Sequence, residues 1–217
     1  MSASKQLQSL IRSIETDLGI EPNAFIHETN QSIKIKDRKK KITITKSMNQ
    51  PEITKLDIRV GQITKVWKHE TAEKLFCEEI NVGEERPRVI ASGLVAHYSL
   101  EEMQNRRVLV LCNLKPRNLV GFRSHGMVLC AVVQLENENE KVVLVTPPEG
   151  AVIGERITFD GLQGEPISPA QVEKKKVLLV LGEEMKTDDK GIAKWKEHEF
   201  QTSKGPCTAS VTNGVIR

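Results

Sequence analysis

A mainly β fold, a small barrel followed by a smaller α+β lobe, is predicted by three observations. From Ile53 onward apolar residues recur with period two or in short runs, at residues 56–68, 75–82, 88–91, 106–113, 127–135 and 142–145. Turn residues separate those runs: Gly83, Ser92 with Gly93, Lys115 with Pro116, Asn137 through Glu140, and Pro147 with Pro148. A single short helix is expected between the third and fourth strands, where Ser99 can cap SLEEMQ and Glu101 and Glu102 fall in the first turn. A long first strand, about five strands in all, and one helix in that connection describe an OB-type barrel.

The bulk composition bounds the rest. With 217 residues, 38% hydrophobic and 28% charged, the chain can bury a sizeable core. Its apolar runs fall short of the roughly 20 residues that a membrane helix requires, so no membrane partner is expected. The first residues carry Arg12, Glu15 and Asp17 and lack the apolar stretch of a secretory signal. Cys77, Cys112, Cys130 and Cys207 are far apart, without a CxxC pair, and read as buried, reduced thiols of a cytoplasmic protein.

Taken in order, residues 1–20 read as an amphipathic helix. Leu7, Leu10, Ile11, Ile14 and Leu18 form one stripe, with Ser4 as cap and Gly19 as stop. A lone helix of that length is marginal in water. Its stripe should dock on the chain's own body, on a second copy or on a partner protein. Residues 21–50 form a basic linker, and within its run 34–46 Lys34, Lys36, Arg38, Lys39, Lys40, Lys41 and Lys46 face only Asp37. A solvated spacer and an auxiliary phosphate-binding arm both fit such a run. Residues 51–152 make the barrel and 153–217 the lobe. Within the lobe, 153–162, 191–200 and 207–217 read as strands. Residues 169–189 are ambiguous, since Pro169 suits a helix start and Val177 through Leu181 suit a strand.

The barrel is organised around residues 113–131, NLKPRNLVGFRSHGMVLCA. The sequence predicts a loop there, rich in glycine and cations and held by a strand at each end. No Asp or Glu occurs from 103 to 135, so Arg106, Arg107, Lys115, Arg117 and Arg123 share a region without internal neutralisation. The formal net charge is only +3, and residues 1–50 hold nine Lys or Arg against five Asp or Glu. Any cationic surface on the body is therefore a local patch. Arginines offer forked donors to phosphate oxygens and Lys115 a point charge, while Asn113 and Ser124 can bond sugar or phosphate, or simply cap turns. Phe122 is the loop's only aromatic and serves rim packing or a base. That shortage favours a folded RNA recognised by backbone and shape. Met127 suits either core or surface. Trp67 and Trp195 are expected to pack the lobe.

Enzymatic and metal chemistry find no support in the sequence. His125 lies beside Ser124 without a neighbouring acid to orient it. His27, His69, His97 and His198 lack ligand spacing, and no phosphate loop or dinucleotide fingerprint occurs. No catalytic residue, metal or cofactor is expected.

The runs LDIRVGQI (56–63), KHETAEKLFCEEINVGE (68–84), SGLVAHYSLEEMQNR (92–106) and NLKPRNLVGFRSHGMVLCA (113–131) together resemble the tRNA-binding domain of the endothelial monocyte-activating polypeptide II type. The likeness continues through PPEGAVIGERITFDGLQGEP (147–166) to the last residue. It implies an OB-type barrel that binds tRNA, with Asn113, Lys115, Arg117, Ser124 and Met127 in contact. It also implies that residues 153–217 imitate a second subunit and keep the chain monomeric. The expected role is non-catalytic: holding tRNA for an aminoacyl-tRNA synthetase, in cis or in trans. Where such domains read roughly H-P-x-A-D-x-L, this chain reads His69, Glu70, Thr71, Ala72, Glu73, Lys74, Leu75. The heptapeptide linked to a released, cytokine-like form resembles R-I-G-R-I-x-T. Here Gln62 stands in place of its second arginine, which weighs against a signalling role, and an interaction scaffold is the remaining alternative.

Overall fold

Strands that are apolar on both faces dictate the architecture. The computed structural model describes residues 50–135 and 139–217. The expected helix at 1–20 and the linker cations Lys34, Lys36, Arg38, Lys39, Lys40 and Lys41 lie outside the described residues. After one 3-10 turn (Glu52–Lys55) come β1 (Ile58–Lys68), β2 (Phe76–Asn81) and β3 (Arg88–Ser92), an antiparallel meander. Helix α1 (Leu100–Met103) leads to β4 (Arg107–Leu111). Then follow β5 (Arg117–Leu119), β6 (Phe122–Ser124), β7 (Met127–Val128), β8 (Cys130–Gln134) and β9 (Glu140–Leu144). The sheet order β3-β2-β1-β4-β7, with β3 also lying against β7, makes a nearly closed five-stranded barrel.

Strand β4, RVLVL, shows why two layers form. Val108 and Val110 point inward with Ile63, Phe76, Ile80, Ile90 and Met103 and fill the barrel. Leu109 and Leu111, on the other face, join a second core with Val177, Leu181, Trp195 and Phe200. Burying each such side chain contributes about 1.5–3 kcal/mol, so the barrel's outer face is stable only under cover. Gly61 permits the inner packing, because a Cβ there would lie 2.8 Å from Ile80 Cγ2. In α1, the Ser99 hydroxyl accepts from the Glu102 N–H and the Glu102 carboxylate accepts from the Ser99 N–H, a complete capping box.

The cover is supplied by α2 (Pro169–Lys174), α3 (Val177–Leu181), β10 (Met185–Thr187), β11 (Ala193–Trp195), β12 (His198–Glu199), β13 (Gln201–Thr202), β14 (Gly205–Pro206) and β15 (Val215–Ile216). A second sheet, β12-β11-β10-β15-β8-β9, runs without interruption from lobe to barrel. Strand β15 enters it between β10 and β8, pairing Val215 with Val132 and Ile216 with Ala131.

The structure corrects several expectations and resolves the ambiguity at 169–189; residues 191–200 form the short hairpin β11–β12, and of residues 207–217 only Val215–Ile216 is strand. The strand expected at 127–135 breaks at Leu129, whose N–H reaches Leu109 in the first sheet while its carbonyl accepts from Val145; the chain changes sheets at that corner. Residues 153–162 form no regular ladder. Gly154 and Ile157 donate to Val60 and Ile58 of β1, and Thr158 exchanges bonds with Gln201, so the segment divides its bonds between two partners. Residues 177–181 are helical despite their β-type side chains, because burial falls at i and i+4 (Val177, Leu181) and leaves Leu179 74% exposed. Trp67 belongs to β1 of the barrel, whereas Trp195 is buried in the lobe.

All four cysteines are free and buried, and desolvation pushes the Cys112, Cys130 and Cys207 thiols up to about 12. No helix among the described residues is long and apolar enough to cross a membrane.

Glu78 of β2 is wholly buried, with one oxygen accepting from the Ser92 hydroxyl and the other without a partner. Desolvation raises its carboxyl from 4.5 to about 7, against the opposing pull of Ser92. The fold therefore favours the protonated form. Its contribution is intact below about pH 4.5 and is lost as pH rises through about 7. At the 1.36 kcal/mol of each pKa unit, that loss reaches at most about 3 kcal/mol. Chemical denaturation at a series of pH values should show this decline in the wild type and a flatter profile in Glu78→Gln.

Candidate nucleic-acid interface

The expected loop at 113–131 is in fact built around a hairpin. Strands β5 and β6 pair Arg117 with Ser124, Asn118 with Arg123 and Leu119 with Phe122. The turn between them is Val120 and Gly121, at φ 50° and 88°. Two positive φ values in a two-residue loop give a type I′ turn, suited to the right-handed twist of paired strands. Asn118 Oδ1 accepts the Gly121 N–H at 2.7 Å. Because side chains alternate along a strand, Arg117, Leu119, Phe122 and Ser124 share one face and Asn118 and Arg123 the other.

The first face lies over the barrel. The Ala91 N–H of β3 donates to Ser124 Oγ at 3.1 Å, and the His125 N–H donates to the Val89 carbonyl at 2.8 Å. Phe122 meets Trp67 of β1 edge-on at 6.1 Å and His69 at 6.2 Å. The hairpin sits in the connection between the barrel's fourth and fifth strands, and His69 opens the connection between its first two. Those two connections flank the usual ligand face of an OB-type barrel.

The expected site residues divide into two groups. Arg117 and Arg123 are exposed, and among the described residues no carboxylate pairs with either. Lys115 is half exposed and forms an ion pair with Glu173 of α2. Such surface pairs contribute at most about 1 kcal/mol, so a phosphate can displace Glu173. Asn113, by contrast, is only 7% exposed and is fully occupied: Oδ1 accepts from the Asp57 N–H at 2.8 Å, and Nδ2 donates to Lys55 and Ile167 carbonyls at 2.8 and 2.9 Å. Ser124 is buried too and donates to the Gly126 carbonyl. Met127 is half-buried against the second core. Arg106 stacks on Tyr98 at 4.9 Å and Arg107 donates to the Ala151 carbonyl. Both stand at the far end of β4, on the order of 20 Å from Asn113 at the usual rise per residue.

The fold adds cations that the sequence reading passed over. Between the hairpin and α2–α3 lies a cleft of about 380 Å³, lined by Lys115, Arg117, Leu119 and Met127 on one side and Val172, Glu173, Lys176 and Leu178 on the other. Lys176 lines its lobe side, and Lys174 and Lys175, next to it in the chain, are exposed. Their run was visible in the sequence, but its closeness to Lys115 was not. Among the described residues, no group of three or more His, Cys, Asp or Glu is arranged to hold a metal.

A nearly closed OB-type barrel whose hairpin and neighbouring helix both present exposed cations defines a nucleic-acid-binding module. Comparison with known proteins narrows the class. Residues 58–156 match the family described as "Putative tRNA binding domain". The chain is 44% identical over 198 residues to the cytoplasmic methionine–tRNA ligase of Arabidopsis thaliana, covering 85% of this chain and 24% of that one. It is 41% identical over 168 residues to the aminoacyl tRNA synthase complex-interacting multifunctional protein 1 of Cricetulus griseus, covering 76% and 45%. The crystal structure of the C-terminal domain of Plasmodium vivax p43 superposes with a TM-score of 0.69 at 36% identity, covering 76% of this chain and 98% of that one. The chain belongs to the family of tRNA-binding domains of the endothelial monocyte-activating polypeptide II type. It spans less than half the length of the two curated relatives named here.

Proposed function

We propose that this chain binds tRNA without catalysing a reaction on it, and thereby assists a cytoplasmic aminoacyl-tRNA synthetase in cis or in trans. The observation that carries the reading is the pair of exposed hairpin cations, Arg117 and Arg123, without a carboxylate partner among the described residues, with Lys115 beside them. Phosphate neutralisation supplies most sequence-independent affinity, and shape then selects a folded RNA. A tethered second contact raises a synthetase's apparent affinity through effective concentration. In this reading Lys115, Arg117 and Arg123, joined by Lys174–Lys176, contact phosphate. Asn113 and Ser124 hold the contacting segment in place. Arg106 and Arg107 belong to a separate, weaker patch, and the residue 34–41 cations add an auxiliary arm.

The division into barrel (51–152) and lobe (153–217) has a functional meaning: the lobe occupies the surface through which a barrel alone would dimerise, and the chain is monomeric. Its cover of Leu109 and Leu111 supports this. The released-signal alternative is disfavoured, because the relevant heptapeptide lies within β1, where Val60, Gly61 and Ile63 are buried and Arg59 is paired with Asp57. Sedimentation of the chain with and without total tRNA tests the proposal. The expected result is a single-chain mass alone and a tRNA complex that dissociates steeply as salt rises; a dimer, or no complex at low salt, overturns it.

A further inference from the structure

We propose that Trp67 and Phe122 form a stacking platform for an unpaired RNA base, whose flanking phosphates are met by Lys65 and Arg123. The inference rests on the tRNA-binding reading and adds to it a contact that backbone and shape recognition do not require.

The platform is made by an irregularity in β1. Between Ile63 and Lys65 the register with β2 shifts. Beyond that bulge Val66 packs toward the barrel interior, and Lys65 and Trp67 take the outer face, opposite Glu79 and Cys77. An indole is thus left half-buried on the outside of a sheet. Its neighbours bury it only in part. Phe122 approaches edge-on, with the ring planes at 69°, and His69 meets Phe122 edge-on at 70°. An edge-on pair covers one ring face of one partner rather than stacking the two rings together, and neither Trp67 nor Phe122 is fully buried.

The other group on the indole is the Lys65 ammonium, 4.9 Å from the ring centroid. Lys65 is 63% exposed, and its pairing with Glu79 is a surface contact at 3.5 Å. A cation–π contact at such a site is worth only about two- to fivefold in an equilibrium. A base stacked on an aromatic ring is worth roughly five- to a hundredfold. The base therefore displaces the ammonium, which gains a phosphate in exchange. The position supports the choice of occupant: Phe122 and His69 come from the two connections between which an OB-type barrel threads a single strand, and Arg123 stands beside Phe122 on the solvent face of the hairpin.

Only two tryptophans occur in the chain, and Trp195 is buried in the lobe. Trp195→Phe thus makes Trp67 a sole reporter. Titrating this variant with tRNA, with a single-stranded RNA of about a dozen nucleotides, and with the same RNA annealed to its complement should give saturable quenching by the first two and little by the duplex. In the otherwise wild-type chain, Trp67→Ala and the gentler Phe122→Leu should each weaken the single strand about five- to a hundredfold and leave duplex affinity within about twofold. Binding seen by anisotropy without quenching, or equal losses for single strand and duplex, overturns the platform and spares the tRNA-binding reading. Absence of binding to every RNA overturns that reading itself.

Discussion

Replacing Lys115, Arg117 and Arg123 together by alanine is expected to lower tRNA affinity on the order of a hundredfold at low salt, nearly equally for every tRNA species. The three residues are exposed and none belongs to either buried core, so the fold should persist. Each removed phosphate contact takes about one unit from the log–log salt slope, so the slope should fall by about three. Filter binding at a series of salt concentrations reads both quantities. Glu173→Gln should move affinity the other way, because it frees Lys115 from its ion pair. An unchanged slope in the triple variant would move the binding surface elsewhere, with the lysines of residues 174–176 the next candidates.

Asn113→Ala should fail in a different manner: it should unfold the protein at lower temperature rather than weaken the folded protein's grip on RNA. The side chain satisfies one N–H and two carbonyls from segments around Asp57, Lys55 and Ile167. The Lys55 carbonyl still accepts from the Ile167 N–H, so two groups lose their partner at about 1–3 kcal/mol each, a total of about 2–6 kcal/mol. That corresponds to a melting temperature lower by roughly 10 °C or more. Asn113→Asp should be no better, since a carboxylate cannot donate to the Lys55 and Ile167 carbonyls. Well below the transition, tRNA affinity should stay within about twofold of the wild type. A large affinity loss with normal melting would make Asn113 a contact after all.

The contrast marks how far the sequence could be read. Strand β4 was legible because RVLVL has no polar face, and α1 because Ser99 and Glu102 have the capping-box spacing. The five-stranded barrel followed from such local signals. The hairpin was not legible: a type I′ turn is normally announced by Asn-Gly or Asp-Gly, and here Val120 occupies the first positive-φ position. Helix α3 was ambiguous because VLLVL suits either structure until the core on one side is known. At the site, the cationic residues were recognisable as charges without neighbouring acids. Whether an Asn or Ser in the same run faced solvent or the interior depended on partners such as Ile167 and Ala91, far away in sequence. The same distance hid Trp67, which meets Phe122 only after the barrel has formed.

The seam at β15 sets a timetable for synthesis. Strand β8 gains Val215 and Ile216 as neighbours only after residues 215 and 216 have been made, although every barrel strand precedes them in the chain. Until then a nascent chain carries one unpaired β8 edge and an uncovered Leu109 and Leu111 face, both prone to self-association. Pairings so distant in sequence are slow to form. Pairing of β15 closes that edge and lets the lobe settle over that face, so the seam joins the two layers only when residues far apart in sequence meet.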